Sequence, residues 1–124
     1  GAMLPVKVRG GTELIPVKDV KYVERLGRKT HVVAAGSELW SAHAPAELLS
    51  GHEERFIRCH QSIWVNPQWV SAMKSDEFLL KDGASAATSS PRGTRSSHRS
   101  AVRRTHYNKA ARQSVDKSGG APYN

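Results

Sequence analysis

The chain has 124 residues, of which 38% are apolar, which is enough for one small domain and a tail. It has no apolar run of about 18 residues, so no membrane-spanning helix is predicted. The single cysteine, Cys59, excludes an internal disulfide and favours a reducing cytoplasm, and the net charge of +8 favours a polyanionic partner.

The charge divides the chain into two unequal parts. Eight of the 19 lysines and arginines, but only one of the 11 acidic residues, lie after residue 83. From Ser89 the sequence is rich in Ser and Arg and lacks apolar periodicity, which is typical of a mobile segment. We therefore predict a folded domain over residues 4–90, with residues 1–3 read as a cloning remnant, and a basic, largely disordered tail over residues 91–124.

Short runs of β-forming residues separated by turn residues predict a mainly antiparallel β domain. Gly10 and Gly11 stand between two apolar pairs and indicate a hairpin. In the strand over residues 20–26, alternation predicts that Val20 and Tyr22 share one face. The predicted strands cover residues 6–8, 14–15, 20–26, 30–35, 38–42, 56–57, 63–65, 69–73, 77–81 and 84–88.

One short helix is predicted over residues 44–51. Pro45 suits the first helical position, and Gly51 suits the left-handed position that follows a helix. Leu48 and Leu49 would then fill the core, which gives this helix a structural role.

The chain is organised around residues 55–66, where two apolar runs bracket the polar run Arg58-Cys59-His60-Gln61-Ser62. This pattern predicts a strand, an exposed turn and a second strand, which Pro67 ends. Arginine and serine side chains can position a phosphate, and glutamine and asparagine amides can pair with an adenine edge. The stretch therefore favours contact with a nucleic acid.

The same run, continued by Val65 and Asn66, resembles the signature of the LytTR-type DNA-binding domain, the effector half of many bacterial response regulators. The resemblance covers roughly residues 6–90. It implies a LytTR-like fold, an elongated set of short antiparallel β-sheets with one short helix, to which the composition adds a flexible basic C-terminal tail. Pieces that resemble the family also occur in the right order at residues 17–24, 31, 48–49 and 78–83.

The resemblance implies sequence-specific binding of double-stranded DNA by a bacterial transcription regulator of the two-component type. Family members bind direct repeats, insert loops into successive major grooves and bend the DNA. We expect an upstream receiver domain in the native protein and a cytoplasmic location. The operator, the regulated genes, the activating signal and a homodimer on DNA are left open.

The resemblance and the residue types together assign the candidate contacts. Arg28, Lys29, Arg58 and Ser62 are predicted to position phosphates. His31 and Gln61 are predicted to contact base edges, whereas His60 and Asn66 fit either a DNA contact or hydrogen bonds that hold the turn. The family closes with a Ser-Arg pair after its last strand; residues 89–91 lack it here, so Arg92 and Arg95 are predicted to enter a groove or follow the backbone.

The sequence gives little support for a metal site, a cofactor or an enzymatic activity. Cys59 and His60 are adjacent and the other histidines are scattered, so neither a metal site nor a cofactor is predicted. No nucleophile has an orienting partner and the acids form no recognisable set, so an enzyme is not predicted. Two alternatives remain: a non-specific nucleic-acid-binding module driven by the basic tail, and a module that docks an acidic protein.

Overall fold

The computed structural model describes residues 1–89 and 99–104. Within them the chain is mainly β, with one α-helix at Pro45–Leu48, so the predicted fold class is confirmed. None of the helices in these residues is long and apolar enough to cross a membrane. The strands are β1 Met3–Val8, β2 Gly11–Pro16, β3 Val20–Leu26, β4 Lys29–Ala34, β5 Ser37–Ser41, β6 Ile57–His60, β7 Ile63–Val65, β8 Val70–Met73, β9 Glu77–Leu80, β10 Ser85–Ala87 and β11 Val102–Arg103.

The strands form three antiparallel sheets in the described part of the chain. β1 and β2 make a hairpin, the largest sheet has the order β5-β4-β3-β7-β6, and the third has the order β11-β10-β9-β8. The predicted glycine turn is confirmed, because Gly10 has a φ of 92° between β1 and β2. Most neighbouring strands follow each other in sequence, so local turns determine most of the topology.

The five-stranded sheet has an apolar core on each face, and β3 supplies residues to both. Val20 and Val23 pack into the first core, and Tyr22 packs into the second. The prediction that Val20 and Tyr22 share one face is wrong, because a register shift between them breaks the alternation of β3 against β4.

The helix packs as its residues predict. Pro45 opens it, Leu48 and Leu49 are buried in the first core, and Gly51 has a φ of 87°. Glu47 accepts a hydrogen bond from the backbone N–H of Ala44 at 3.0 Å, which closes the first turn. The helix therefore contributes to the first core, and only its first residues border the candidate interface described below.

Residues 99–104 depart from the predicted disordered tail. Val102 is 8% exposed in the second core, and β11 pairs with β10 in the register Ser85 to Arg103 and Ala86 to Val102. Two residues are too few for a strand signal of their own, and they form this strand because β10 pairs with them and because a buried acid described below binds the two residues before them. The rest of the predicted tail, residues 91–98 and 105–124, lies outside the described residues.

Candidate nucleic-acid interface

The central polar run forms the end of β6 and the turn that leads into β7. His60 is 6% exposed, and its Nδ1 accepts hydrogen bonds from the backbone N–H of Ser62 at 3.0 Å and from the Ser62 hydroxyl at 2.9 Å. The backbone carbonyl of Ser62 accepts from the N–H of Arg25 at 2.8 Å, which ties the turn to β3. Burial, together with the nearby charge of Arg58, lowers the pKa of His60 and so keeps its Nδ1 available as an acceptor.

Arg58 and Gln61 point outward from this turn. The guanidinium of Arg58 lies 4.6 Å from the ring centroid of Trp64 and donates to the Gln61 carbonyl at 2.6 Å. Both side chains belong to exposed residues. The stacking and the hydrogen bond hold the arginine in one place before any ligand arrives, which reduces the conformational entropy lost on binding.

The turn borders a cleft of about 870 Å³. Arg25, Arg58, Arg99 and Arg103 all line it, together with the turn residues His60, Gln61 and Ser62. Asp76 and Glu77 line it as well, so the four arginines outnumber the two acids and the lining carries a net positive charge. A concave surface lined by several guanidinium groups suits a phosphate backbone.

The sequence analysis did not single out Arg25, Arg99 and Arg103, which line the cleft. Arg25 lies in a strand that was interpreted as structural, and the other two lie in the region predicted to be disordered. The signal that was available is the short apolar pair Ala101-Val102, which precedes two arginines. The hydrogen bond from the Ala101 N–H to a buried acid joins residues far apart in the chain, so no local pattern reveals it.

Arg28 and Lys29 lie at the exposed turn between β3 and β4, as predicted. The Arg25 side chain donates to the Gly27 carbonyl at 2.8 Å and braces this turn. The residues that line the cleft do not include Arg28 or Lys29. Their predicted phosphate contacts therefore belong to a second exposed patch, and they stay a prediction.

The predicted base contact of His31 is disfavoured by its surroundings. His31 is 8% exposed, and its ring stacks on Trp40 with 4.1 Å between centroids. Its Nε2 lies 2.9 Å from an oxygen of Glu38, which also binds Arg104 at 3.1 Å. Burial lowers the pKa of His31, and this geometry favours a structural role because the ring is already engaged on its face and its edge.

Asn66 is likewise directed into the protein. It is 2% exposed, and its Nδ2 donates to the carbonyls of Val17 at 3.2 Å and Val20 at 2.9 Å. Its Oδ1 accepts from the backbone N–H of Gln68 at 3.0 Å. Of the two roles that the sequence left open for Asn66, the structural one is favoured.

Arg92 and Arg95 lie outside the described residues, so their predicted groove contact stays a prediction. Cys59 packs against the second core, and burial raises the pKa of its thiol to about 11. In residues 1–89 and 99–104, no three His, Cys, Asp or Glu side chains come together as metal ligands.

Comparison with known proteins identifies the family and the fold. A family model described as the LytTr DNA-binding domain matches residues 10–95. A solved structure described as the LytTr DNA-binding domain of a methyl-accepting/DNA response regulator from Bacillus cereus is similar in fold, with a TM-score of 0.57. The two chains are 21% identical, and the alignment covers 93% of this chain and 97% of that one. No curated protein sequence gives a significant match. The family match over most of the chain confirms the resemblance of the central motif: the chain belongs to the LytTr DNA-binding domain family.

Proposed function

We propose that this domain binds double-stranded DNA sequence-specifically, as the effector of a bacterial transcription regulator of the two-component response-regulator type. The observation that carries the proposal is the β6–β7 turn, where exposed Gln61 stands beside Arg58 at the edge of the cationic cleft. A glutamine amide can pair with an adenine edge, while the arginines hold the phosphates on either side.

In this proposal the contacts divide by chemistry. Gln61 reads a base edge, and Arg58 and Ser62 position the phosphates nearest to it. The other cleft arginines extend the phosphate track, and the exposed turn at residues 28–29 meets a neighbouring stretch of backbone. The family resemblance supports direct-repeat sites, with one domain on each repeat, and a receiver domain upstream in the native cytoplasmic protein.

A binding titration on duplex DNA tests the base contact. We would compare the wild type, Gln61→Ala and the control Gln68→Ala on a selected direct-repeat duplex and on a scrambled one. Gln68 is exposed, and its backbone N–H, not its side chain, makes the hydrogen bond to Asn66. We expect Gln61→Ala to cost about 1–3 kcal/mol on the selected site and much less on the scrambled site. A Gln61→Ala variant that kept both its affinity and its base preference would remove Gln61 from the interface.

Non-specific binding of nucleic acid is the second candidate, because four guanidinium groups line the cleft and the sequence beyond it is basic. A chain that ends after Arg104 separates the two functions, since it keeps β11 and removes only residues 105–124. For a specific domain, we expect the shortened chain to lose affinity equally on both duplexes and to keep its preference. Absence of preference in both chains, with affinity lost together with residues 105–124, would instead favour the non-specific module.

A further inference from the structure

A glutamate lies buried in the middle of β3. Glu24 is 1% exposed, and burial raises the pKa of its carboxyl. One carboxylate oxygen accepts from the Ser100 hydroxyl at 2.6 Å, and the other accepts from the backbone N–H of Ala101 at 2.7 Å. A buried carboxylate is unfavourable unless donors reach it, and these donors come from a segment 76 and 77 residues later in the chain.

That segment, residues 99–104, is called the C-terminal arm below. Strand pairing joins it to β10, and the Ala87 N–H donates to the Ala101 carbonyl at 3.0 Å. At the far end of the arm, Arg104 binds Glu38 at 3.1 Å. The arm is therefore held by strand pairing to the four-stranded sheet and by two acids to the five-stranded sheet.

The attachment to Glu24 lies between the two arginines that the arm brings to the cleft. Arg99 and Arg103 flank the bonded residues 100–101, and both line the cleft that Arg25 and Arg58 also line. Guanidinium groups that share one cleft repel each other. An arm without a firm attachment would carry its arginines away from the other two, into solvent.

We propose that Glu24 is a positioning residue for DNA binding, which fixes the C-terminal arm so that Arg99 and Arg103 contact phosphates in the cleft that the β6–β7 turn also lines. This inference rests on the proposed function and adds to it a buried residue that itself touches no DNA. In this proposal Arg99 and Arg103 contact only phosphates, and Gln61 contacts the base. The arm therefore contributes to DNA affinity and not to base preference.

The salt dependence of DNA affinity measures this role. Each phosphate contact contributes about 0.9 to the slope of log affinity against log salt, so loss of two contacts lowers the slope by about 2. We would titrate the full chain with Glu24→Gln, with Ser100→Ala, and with Arg99→Ala and Arg103→Ala combined. Ser71→Ala is the matched control, because its hydroxyl makes one hydrogen bond, to the Leu79 carbonyl, on the same four-stranded sheet but outside the cleft.

We expect Ser100→Ala and Glu24→Gln to lower the slope towards that of the double arginine variant, with base preference unchanged. Ser100→Ala added to the double arginine variant should have no further effect, and Ser100→Thr, which keeps the hydroxyl, should restore the slope. Hydrogen exchange at the Ala101 amide should quicken in Glu24→Gln and Ser100→Ala, and not in Ser71→Ala.

Three results would overturn the inference. An unchanged slope in Ser100→Ala and Glu24→Gln removes the positioning role, whether or not the Ala101 amide exchanges faster. If Ser100→Ala lowers the slope of the double arginine variant as much as it lowers the slope of the wild type, then the attachment to Glu24 acts through residues other than Arg99 and Arg103. A wild-type chain with no salt-dependent binding to any duplex overturns the proposed function, and this inference with it.

Discussion

Replacement of Asn66 by alanine tests whether this residue stabilises the fold or contacts DNA. Asn66 belongs to the motif that indicates DNA binding, yet its amide is buried and makes three hydrogen bonds, to Val17, Val20 and Gln68. These bonds tie the end of β7 to the short 3₁₀ helix Val17–Asp19 and to the start of β3. We expect Asn66→Ala to weaken the fold and to leave the intrinsic DNA affinity of the folded protein unchanged.

The magnitude follows from the hydrogen bonds. Each net hydrogen bond contributes about 1 kcal/mol, so loss of the three lowers the free energy of unfolding by about 3 kcal/mol. Urea weakens a small domain by about 1–3 kcal/mol per molar, so the midpoint of urea unfolding should fall by roughly 1–3 M. A loss of that size is a large part of the stability of a small domain.

Tryptophan fluorescence during urea unfolding gives the stability, and a DNA titration without urea, at a temperature where the variant is folded, gives the affinity. Gln68→Ala is the control, because it removes the amide side chain of Gln68 and keeps the backbone N–H of that residue, which binds Asn66. The reasoning is refuted if Asn66→Ala unfolds at the wild-type midpoint and loses about 1–3 kcal/mol of affinity for the selected site, as a base contact would.

Three further predictions follow from burial and charge. Leu49→Ala, at 2% exposure, should lower the free energy of unfolding by about 2–5 kcal/mol in urea, whereas Leu14→Ala, at 63%, should change it by less than about 0.5 kcal/mol. At neutral pH, iodoacetamide should alkylate Cys59 about 100-fold more slowly than in the unfolded chain, because burial raises its pKa from 9.0 to about 11; equal rates would contradict this. Burial lowers the pKa of both His31 and His60, so the unfolded state takes up protons first, and stability should fall as pH falls below about 6.5 towards the folded values. Urea unfolding at pH 7.5 and 5.5 measures this loss of stability, which should be smaller in a variant that carries both His31→Gln and His60→Gln than in the wild type. An equal loss in the two proteins would contradict the assignment.

The features that sequence predicted correctly are those encoded within a few residues. A left-handed glycine such as Gly10 or Gly51 and a proline at the first position of a helix depend only on local backbone sterics. The central strand, turn and strand also follow from a local pattern of apolar and polar residues. Each of these elements is therefore specified largely by its own short stretch of sequence.

The features that sequence missed depend on contacts between distant residues. The register shift after Val20 leaves no mark in composition, yet it moves Tyr22 to the other core. β11 consists of two residues, too few for any periodicity; it pairs with β10, and Glu24 binds the two residues that precede it. Glu24 has charged as well as apolar neighbours in β3, so its burial, and with it the need for donors, is seen only in the fold.

The candidate DNA contacts also divide into those that a local pattern can assign and those that only the fold can assign. A histidine or an asparagine in the motif has the same chemistry whether it meets a base or a backbone carbonyl, so residue type alone leaves both roles open. His60 and Asn66 direct polar atoms into the turn and the strand ends, whereas Gln61 is exposed and Arg58 is held over Trp64 at the surface. The buried residues His60 and Asn66 stabilise the backbone that carries the exposed Arg58 and Gln61. Substitution of a buried residue should therefore change the free energy of unfolding, whereas substitution of an exposed one should change DNA affinity and base preference.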